Sequence, residues 1–134
     1  MKTENIVRDE MMAHDAFSKW LGIEIAEVSE GYCLLSILVR PEMTNGFGIA
    51  HGGISYSLAD SALAFAANTY GQKAVTVDGH MHYFQKIHAG DNLMAEAKVL
   101  HKGKKISKFE VNLKVSEIIV AKMIGSIVHT KLEW

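Results

Sequence analysis

The chain has 134 residues, 49% hydrophobic and 22% charged, which is the size of one domain and excludes a disordered chain. Fourteen bases against fifteen acids give a formal net charge of −1, which argues against a nucleic-acid partner, and the lone Cys33 excludes an intrachain disulfide framework or a Cys-built zinc cluster. The start, MKTENIVRDEMM, has no apolar signal core, and no run approaches the roughly 20 apolar residues of a membrane span, so the expectation is a soluble cytoplasmic protein without a membrane partner.

Residues 5–20 read as one amphipathic helix, with Ile6, Met11, Ala13, Phe17 and Trp20 near helical spacing and Gly22 as its stop. Segments 22–29 and 32–40 read as strands joined by the turn signal Glu30-Gly31. Residues 41–50 hold Pro41, Asn45-Gly46 and Gly48 and read as a loop. Residues 52–69 have helical length and are rich in Ala and Ser, with Ala59, Ala62, Ala66 and Ala67 among them. Small residues on nearly every side predict a buried central helix. Segments 74–85, 92–101, 106–116 and 119–132 read as strands. In the third, Ser107, Phe109, Val111, Leu113 and Val115 alternate with Lys108, Glu110, Asn112 and Lys114, a period of two with one polar face. Short turns at Lys102-Gly103-Lys104 and Ser116-Glu117 imply antiparallel neighbours. The expectation is a single α+β domain over 1–134, with an N-terminal helical segment 1–21 and a long helix wrapped by a curved antiparallel sheet.

Asp60 stands in the middle of the central helix, in the run Leu58-Ala59-Asp60-Ser61-Ala62. Aspartate is a poor helix-interior residue, and an unpaired buried carboxylate costs several kcal/mol. It lies either on a solvated stripe with Ser57 and Ser61, or in a site as a base or nucleophile. His51-Gly52-Gly53 lies where the loop becomes the helix. The first helical amides have no internal partner and sit at the positive end of the dipole, which suits a developing oxyanion. Gly52 and Asp60 are eight residues apart, roughly 12 Å along one helix. They cannot both reach one carbonyl from one copy of the helix. If both take part, the site combines Asp60 of one subunit with Gly52 of another. Net charge also hides a local patch: Lys98, Lys102, Lys104, Lys105, Lys108 and Lys114 face only Glu110 between residues 98 and 114. That is a solvated strand face or an anion site for phosphates.

The combination of Asn45-Gly46, His51-Gly52-Gly53 and Leu58-Ala59-Asp60-Ser61-Ala62 resembles the signature of the PaaI-type (phenylacetate-degradation) acyl-CoA thioesterases of the hotdog-fold superfamily. The similarity continues through Val75-Thr76-Val77-Asp78, Tyr83-Phe84, Ala89-Gly90-Asp91 and Lys102-Gly103-Lys104, over roughly residues 17 to 132. The resemblance implies the hotdog fold and a homodimer with one continuous sheet, assembled as a dimer of dimers. It implies hydrolysis of an aromatic (phenylacetyl-like) or medium-chain acyl-CoA to a carboxylate and free coenzyme A, with no cofactor and no metal. By the same resemblance Asp60 attacks the thioester or activates the water, and the Gly52 amide polarises the carbonyl from the other subunit. Asn45 and His51 orient the reacting group, while Gly53 and Thr76 contact substrate or water. Lys102, Lys104 and Lys105 fall where the nucleotide end of coenzyme A lies. The chain departs from the family at Gln85-Lys86, where relatives often read Arg-Pro, and at His80 and His82, where relatives have small or apolar residues in a strand near the acyl pocket.

Two other readings compete. A hotdog hydratase or dehydratase would pair its carboxylate with a differently placed histidine, and the Asp-x4-His pattern is missing after Asp60. A non-catalytic acyl-CoA-binding module would be expected to lose the helix carboxylate, which this chain keeps. His80, His82 and His88 offer a metal two imidazoles on one strand face, without an evident third ligand. Cys33 reads as a buried small hydrophobe.

Overall fold

A computed structural model describes residues 2–134, so Met1, the first residue of the expected 1–21 segment, lies outside the described residues. The expected single helix over 5–20 is broken into pieces. A short α1 (Thr3–Asn5) runs into a π-turn segment (Ile6–Met11) and a 3₁₀ turn (Met12–His14), and α2 covers Ala16–Leu21. The break is chemical. The Asp15 backbone is non-helical, and its Oδ1 accepts from the Ser18 N–H at 2.9 Å, which starts a new helix. Gly22, at φ +83°, ends that helix in the left-handed conformation that only glycine adopts cheaply.

The rest follows the sequence pattern closely. Strands β1 (Glu24–Ser29) and β2 (Tyr32–Leu38) precede a 3₁₀ turn (Pro41–Met43), the long α3 (Gly52–Asn68), and strands β3 (Gln72–Tyr83), β4 (Asn92–His101), β5 (Ile106–Val115) and β6 (Ile118–Glu133). They form one antiparallel sheet in the order β1-β2-β4-β5-β6-β3. This sheet curls around α3, which packs against β2 through β6. Along β5 the even-odd alternation holds: Ser107, Phe109, Val111 and Leu113 are buried. Cys33 is fully buried on β2, and burial pushes its thiol up to about 12, so it packs as an apolar group.

Helix α3 is not enclosed on every side, as its small residues had suggested. Leu58, Ala59, Ala62, Leu63, Phe65 and Ala66 are buried, whereas Gly53 and Tyr56 are exposed and Ser57, Asp60, Ser61 and Ala64 are half-buried. One stripe of the helix is therefore open, and Asp60 lies on it. Side chains of the helix sit close to the sheet because two glycines face them. Gly79 of β3 pairs with Gly125 of β6. A Cβ on Gly79 would stand 3.0 Å from the Tyr56 hydroxyl, and one on Gly125 would stand 2.7 Å from Leu63 Cδ2.

Strand β3 carries an irregularity between Thr76 and Asp78. The extra residue switches the faces of the strand. Gly79 points at α3 after the bulge, so Met81 and Tyr83 do too, and His80 and His82 turn outward and are exposed. These two imidazoles therefore do not line the space between β3 and α3 in their own subunit. β3 is also an edge strand, with exposed Val75 and Val77.

The glycine groove generates a direct test. Gly125→Ala pushes a methyl into buried Leu63 and toward the Asp78 carbonyl, 3.1 Å away. It is expected to lower unfolding stability by about 1–3 kcal/mol in urea titration.

Candidate active site

The loop before α3 is tightly self-bonded. The Asn45 N–H donates to the Ile49 carbonyl (2.8 Å), the Ala50 N–H to Ile87 (2.7 Å) and the His51 N–H to Met43 (2.8 Å). Asn45 Oδ1 accepts from the Phe47 N–H at 2.9 Å, closing an Asx turn. With its oxygen committed to the loop, Asn45 presents its NH₂ group outward as a donor. His51 behaves in parallel. It is the N-cap of α3, and its Nδ1 accepts from the Gly53 N–H at 2.8 Å. Neutral His51 therefore carries its proton on Nε2 and is likewise a donor, but it lines a separate cavity with Thr44, Gly53 and Ser57.

Gly53, expected at the substrate, has its N–H spent on this cap. The Ile54 N–H is spent on the His51 carbonyl at 2.9 Å. The Gly52 N–H has no partner among the described residues and lies at the positive end of a 17-residue helix. Asn45 and Gly52 share the wall of one cavity of about 330 Å³ with Ile49, Ser55, Tyr83 and Lys86. The loop–helix junction thus gathers N–H donors around one space. That equipment suits charge building up on an oxygen.

Asp60 is not there. It lies two turns further along α3, half-buried on the open stripe. Burial raises its pKa above 3.8, the Thr76 hydroxyl on β3 pulls it down, and the nearby Asp15 charge pushes it up again. Thr76, expected at the substrate or water, therefore stands beside Asp60. Asp15 was not anticipated as a neighbour of the site. Its Oδ2 accepts from the Ser18 hydroxyl at 2.6 Å, and Ser18 Oγ lies 2.9 Å from Ser61 Oγ. A carboxylate only accepts, so the Ser18 proton points to Asp15 and Ser61 donates to Ser18. This chain, centred on the fully buried Ser18, docks α2 beside Asp60. The run Asp15-Ala16-Phe17-Ser18, a capping residue with a hydroxyl three positions on, was the readable signal for it.

The lysine turn lies at the opposite end of α3 from Gly52. Lys102 Nζ sits 5.0 Å over the ring of Tyr70, just beyond the helix C-terminus, and donates to Gly103 O at 2.9 Å. Lys104 and Lys105 are exposed beside it. The turn is held from below by Ser107, which accepts from the Gly103 N–H at 3.1 Å and sits 2.7 Å from His129 Nε2.

Comparison with known proteins identifies the family. The Thioesterase superfamily model matches residues 47–122. Acyl-coenzyme A thioesterase PaaI of Escherichia coli is 37% identical over 103 residues, covering 77% of this chain and 74% of that protein. Human acyl-coenzyme A thioesterase 13 is 30% identical over 118 residues, covering 86% and 83%. The solved structure of the E. coli PaaI protein from the phenylacetic acid degradation operon superposes with a TM-score of 0.94 at 31% identity, covering 98% of this chain and 96% of that one. The chain belongs to the thioesterase superfamily and has its hotdog fold.

Proposed function

We propose that the chain hydrolyses acyl-CoA thioesters at a site shared between two subunits. Its relatives in E. coli and human are named for that activity. The observation that carries the reading is the separation on α3 of a donor-only N-terminus from a half-buried carboxylate with a raised pKa. A second subunit supplies the complement. The open stripe of α3 and the exposed edge of β3 are continuous surfaces for it. In an antiparallel helix pair that sets Gly52 against Asp60 of the partner subunit, Tyr56 lies midway and meets the two-fold axis. The Tyr56 hydroxyl reaches Gly79, so an axis near Tyr56 also passes near the middle of β3 and would join the two edge strands antiparallel. One symmetry operation satisfies both surfaces.

In this site the thioester carbonyl oxygen takes the Gly52 N–H, with the Asn45 NH₂ and His51 Nε2–H around the reacting group. Asp60 of the partner subunit either attacks the carbonyl carbon or draws the proton from the attacking water. The tetrahedral oxyanion collapses, the C–S bond breaks and coenzyme A leaves as a thiolate. A thiolate is a good leaving group, so no strong acid is required. Where Asp60 attacks directly, the Asp60–acyl anhydride left after thiolate departure is hydrolysed by water at its acyl carbonyl; in either course water supplies the second oxygen of the product carboxylate. Lys104 and Lys105 are positioned for the phosphates of the nucleotide end, with Lys102 held beside them over Tyr70. The acyl group favoured by the family likeness is aromatic and phenylacetyl-like, with medium aliphatic chains next. Two such dimers paired through their remaining faces make the dimer of dimers.

Two outcomes test this reading. Thiol release from a panel of aromatic and aliphatic acyl-CoAs is expected for the wild type, and Asp60→Asn is expected to lower kcat at least a hundredfold. The same variant is expected to melt at or above the wild-type temperature. The folded-state pKa of Asp60 is raised, so its ionised form disfavours the fold above that pKa, and the amide removes this penalty. An active Asp60→Asn, or a wild type inactive on the whole panel, contradicts the assignment.

The pH–rate profile supplies the second test. Asp60 works ionised, so kcat/KM rises with pH through a limb placed above the ordinary aspartate value of 3.8. Asp15→Asn removes a nearby negative charge, keeps the helix cap, and should move the limb to lower pH. Thr76→Val removes the opposing hydroxyl and should move it up.

A further inference from the structure

The Gly52-Gly53 pair at the start of α3 is the least constrained backbone on which the reaction could rest. Glycine at helical positions loses about 1 kcal/mol relative to alanine, and the first turn of a helix frays most readily. An oxyanion donor must nonetheless be aimed before charge develops. On the loop side, His51 restrains the pair through the bond from the Gly53 N–H to its Nδ1. On the sheet side, one residue does the equivalent. The Tyr83 hydroxyl donates to the Gly52 carbonyl at 2.9 Å. Its ring covers the same glycine: a Cβ on Gly52 would lie 3.1 Å from Tyr83 Oη and 3.2 Å from Cζ.

Tyr83 reaches that position because the β3 bulge turns it toward α3. The strand runs antiparallel to the helix. Thr76 stands by Asp60, Gly79 by Tyr56 and Tyr83 by Gly52. A single edge strand therefore touches both chemical stations of α3. Burial, with the neighbouring Tyr56, holds the Tyr83 phenol above its usual titration range, so it keeps its proton and its role as donor. The hydroxyl is not free to serve the substrate as an acid, because its proton is directed at a backbone carbonyl.

We propose that Tyr83 is a positioning residue, which clamps the Gly52 carbonyl and so aims the Gly52 N–H at the reacting oxygen. The proposal rests on the thioesterase reading for its catalytic consequence, and on backbone geometry alone for the clamp. The clamp fixes the peptide unit between Gly52 and Gly53 directly and so limits rotation about Gly52; the unit carrying the Gly52 N–H is held in turn by the Ile54 N–H on the His51 carbonyl at 2.9 Å. Hydrogen bonding to the Gly52 carbonyl also polarises the peptide that ends at the Gly53 N–H, strengthening the His51 cap. Sheet and loop thus restrain the glycines from two sides.

The test is Tyr83→Phe, which removes one oxygen and keeps the ring over Gly52. Thiol release is expected to show kcat about tenfold lower with KM within a factor of about two, because the donor acts on the transition state and not on coenzyme A binding. Amide exchange measured by NMR is expected to be several-fold faster at the Gly53 and Tyr56 N–H groups, with the melting temperature changed by less than about 3 °C. Unchanged kcat with unchanged exchange overturns the clamp. A large fall in melting temperature with kcat and KM both disturbed also overturns it, since that marks a general packing role. Should wild type release no thiol from any acyl-CoA, the thioesterase reading fails, and the exchange rates still decide whether the clamp exists.

Discussion

The rigid rise of the α-helix is the constraint from which the rest follows. Gly52 and Asp60 belong to one unbroken helix, so roughly 12 Å must separate them. No loop movement within a subunit closes that gap. Every other feature of the molecule is consistent with bridging it by symmetry. The helix keeps one stripe open, β3 keeps one edge open, and the hydroxyl of Tyr56, midway between Gly52 and Asp60, reaches Gly79 of β3. In the function proposed above, a domain that looks self-sufficient by its core supplies one half of a site.

The electrostatic division of labour has a physical origin in the same helix. Its N-terminus carries donors: the Gly52 N–H, and the Asn45 amide and His51 imidazole, the latter two fixed as donors by bonds that their other atoms accept. The carboxylate is kept two turns away, where a helix dipole neither neutralises it nor competes for it. Asp60 then stays basic, because burial and Asp15 raise its pKa against the pull of Thr76. Holding such a carboxylate half-buried in a fold destabilises it. The glycine groove under α3 and the Asp15–Ser18–Ser61 chain beside it supply compensating order.

Much of this was legible in the residues. The small-residue helix, the period-two pattern of β5 and the short turns predicted the central helix and the antiparallel strands within one or two residues at most strand ends. Asp60 and His51-Gly52-Gly53 stood out because each is costly or unusual where it occurs. The misses share a cause. The helix expected over 5–20 has good apolar spacing, but Asp15 caps a new helix there, and a side-chain bond outweighed periodicity. The β3 bulge has no composition signal, so the outward turn of His80 and His82 and the inward turn of Tyr83 could not be read from alternation. Tyr83 was visible only as an aromatic in a strand, since its value lies in one hydroxyl meeting a carbonyl 31 residues away. Gly53 was placed at the substrate because adjacent glycines look equivalent in sequence, whereas the His51 cap distinguishes them.

The central claim is that the carboxylate and the donors come from different chains. Subunit mixing measures this directly. Asp60→Asn and the double variant Asn45→Ala/His51→Ala are each purified, unfolded together and refolded, and thiol release is compared with each variant treated alone. A shared site predicts recovery to about one quarter of wild-type activity, because half of the randomly paired dimers carry one intact site out of two. A site contained within one chain predicts no recovery, since each chain then carries its own defect into every dimer.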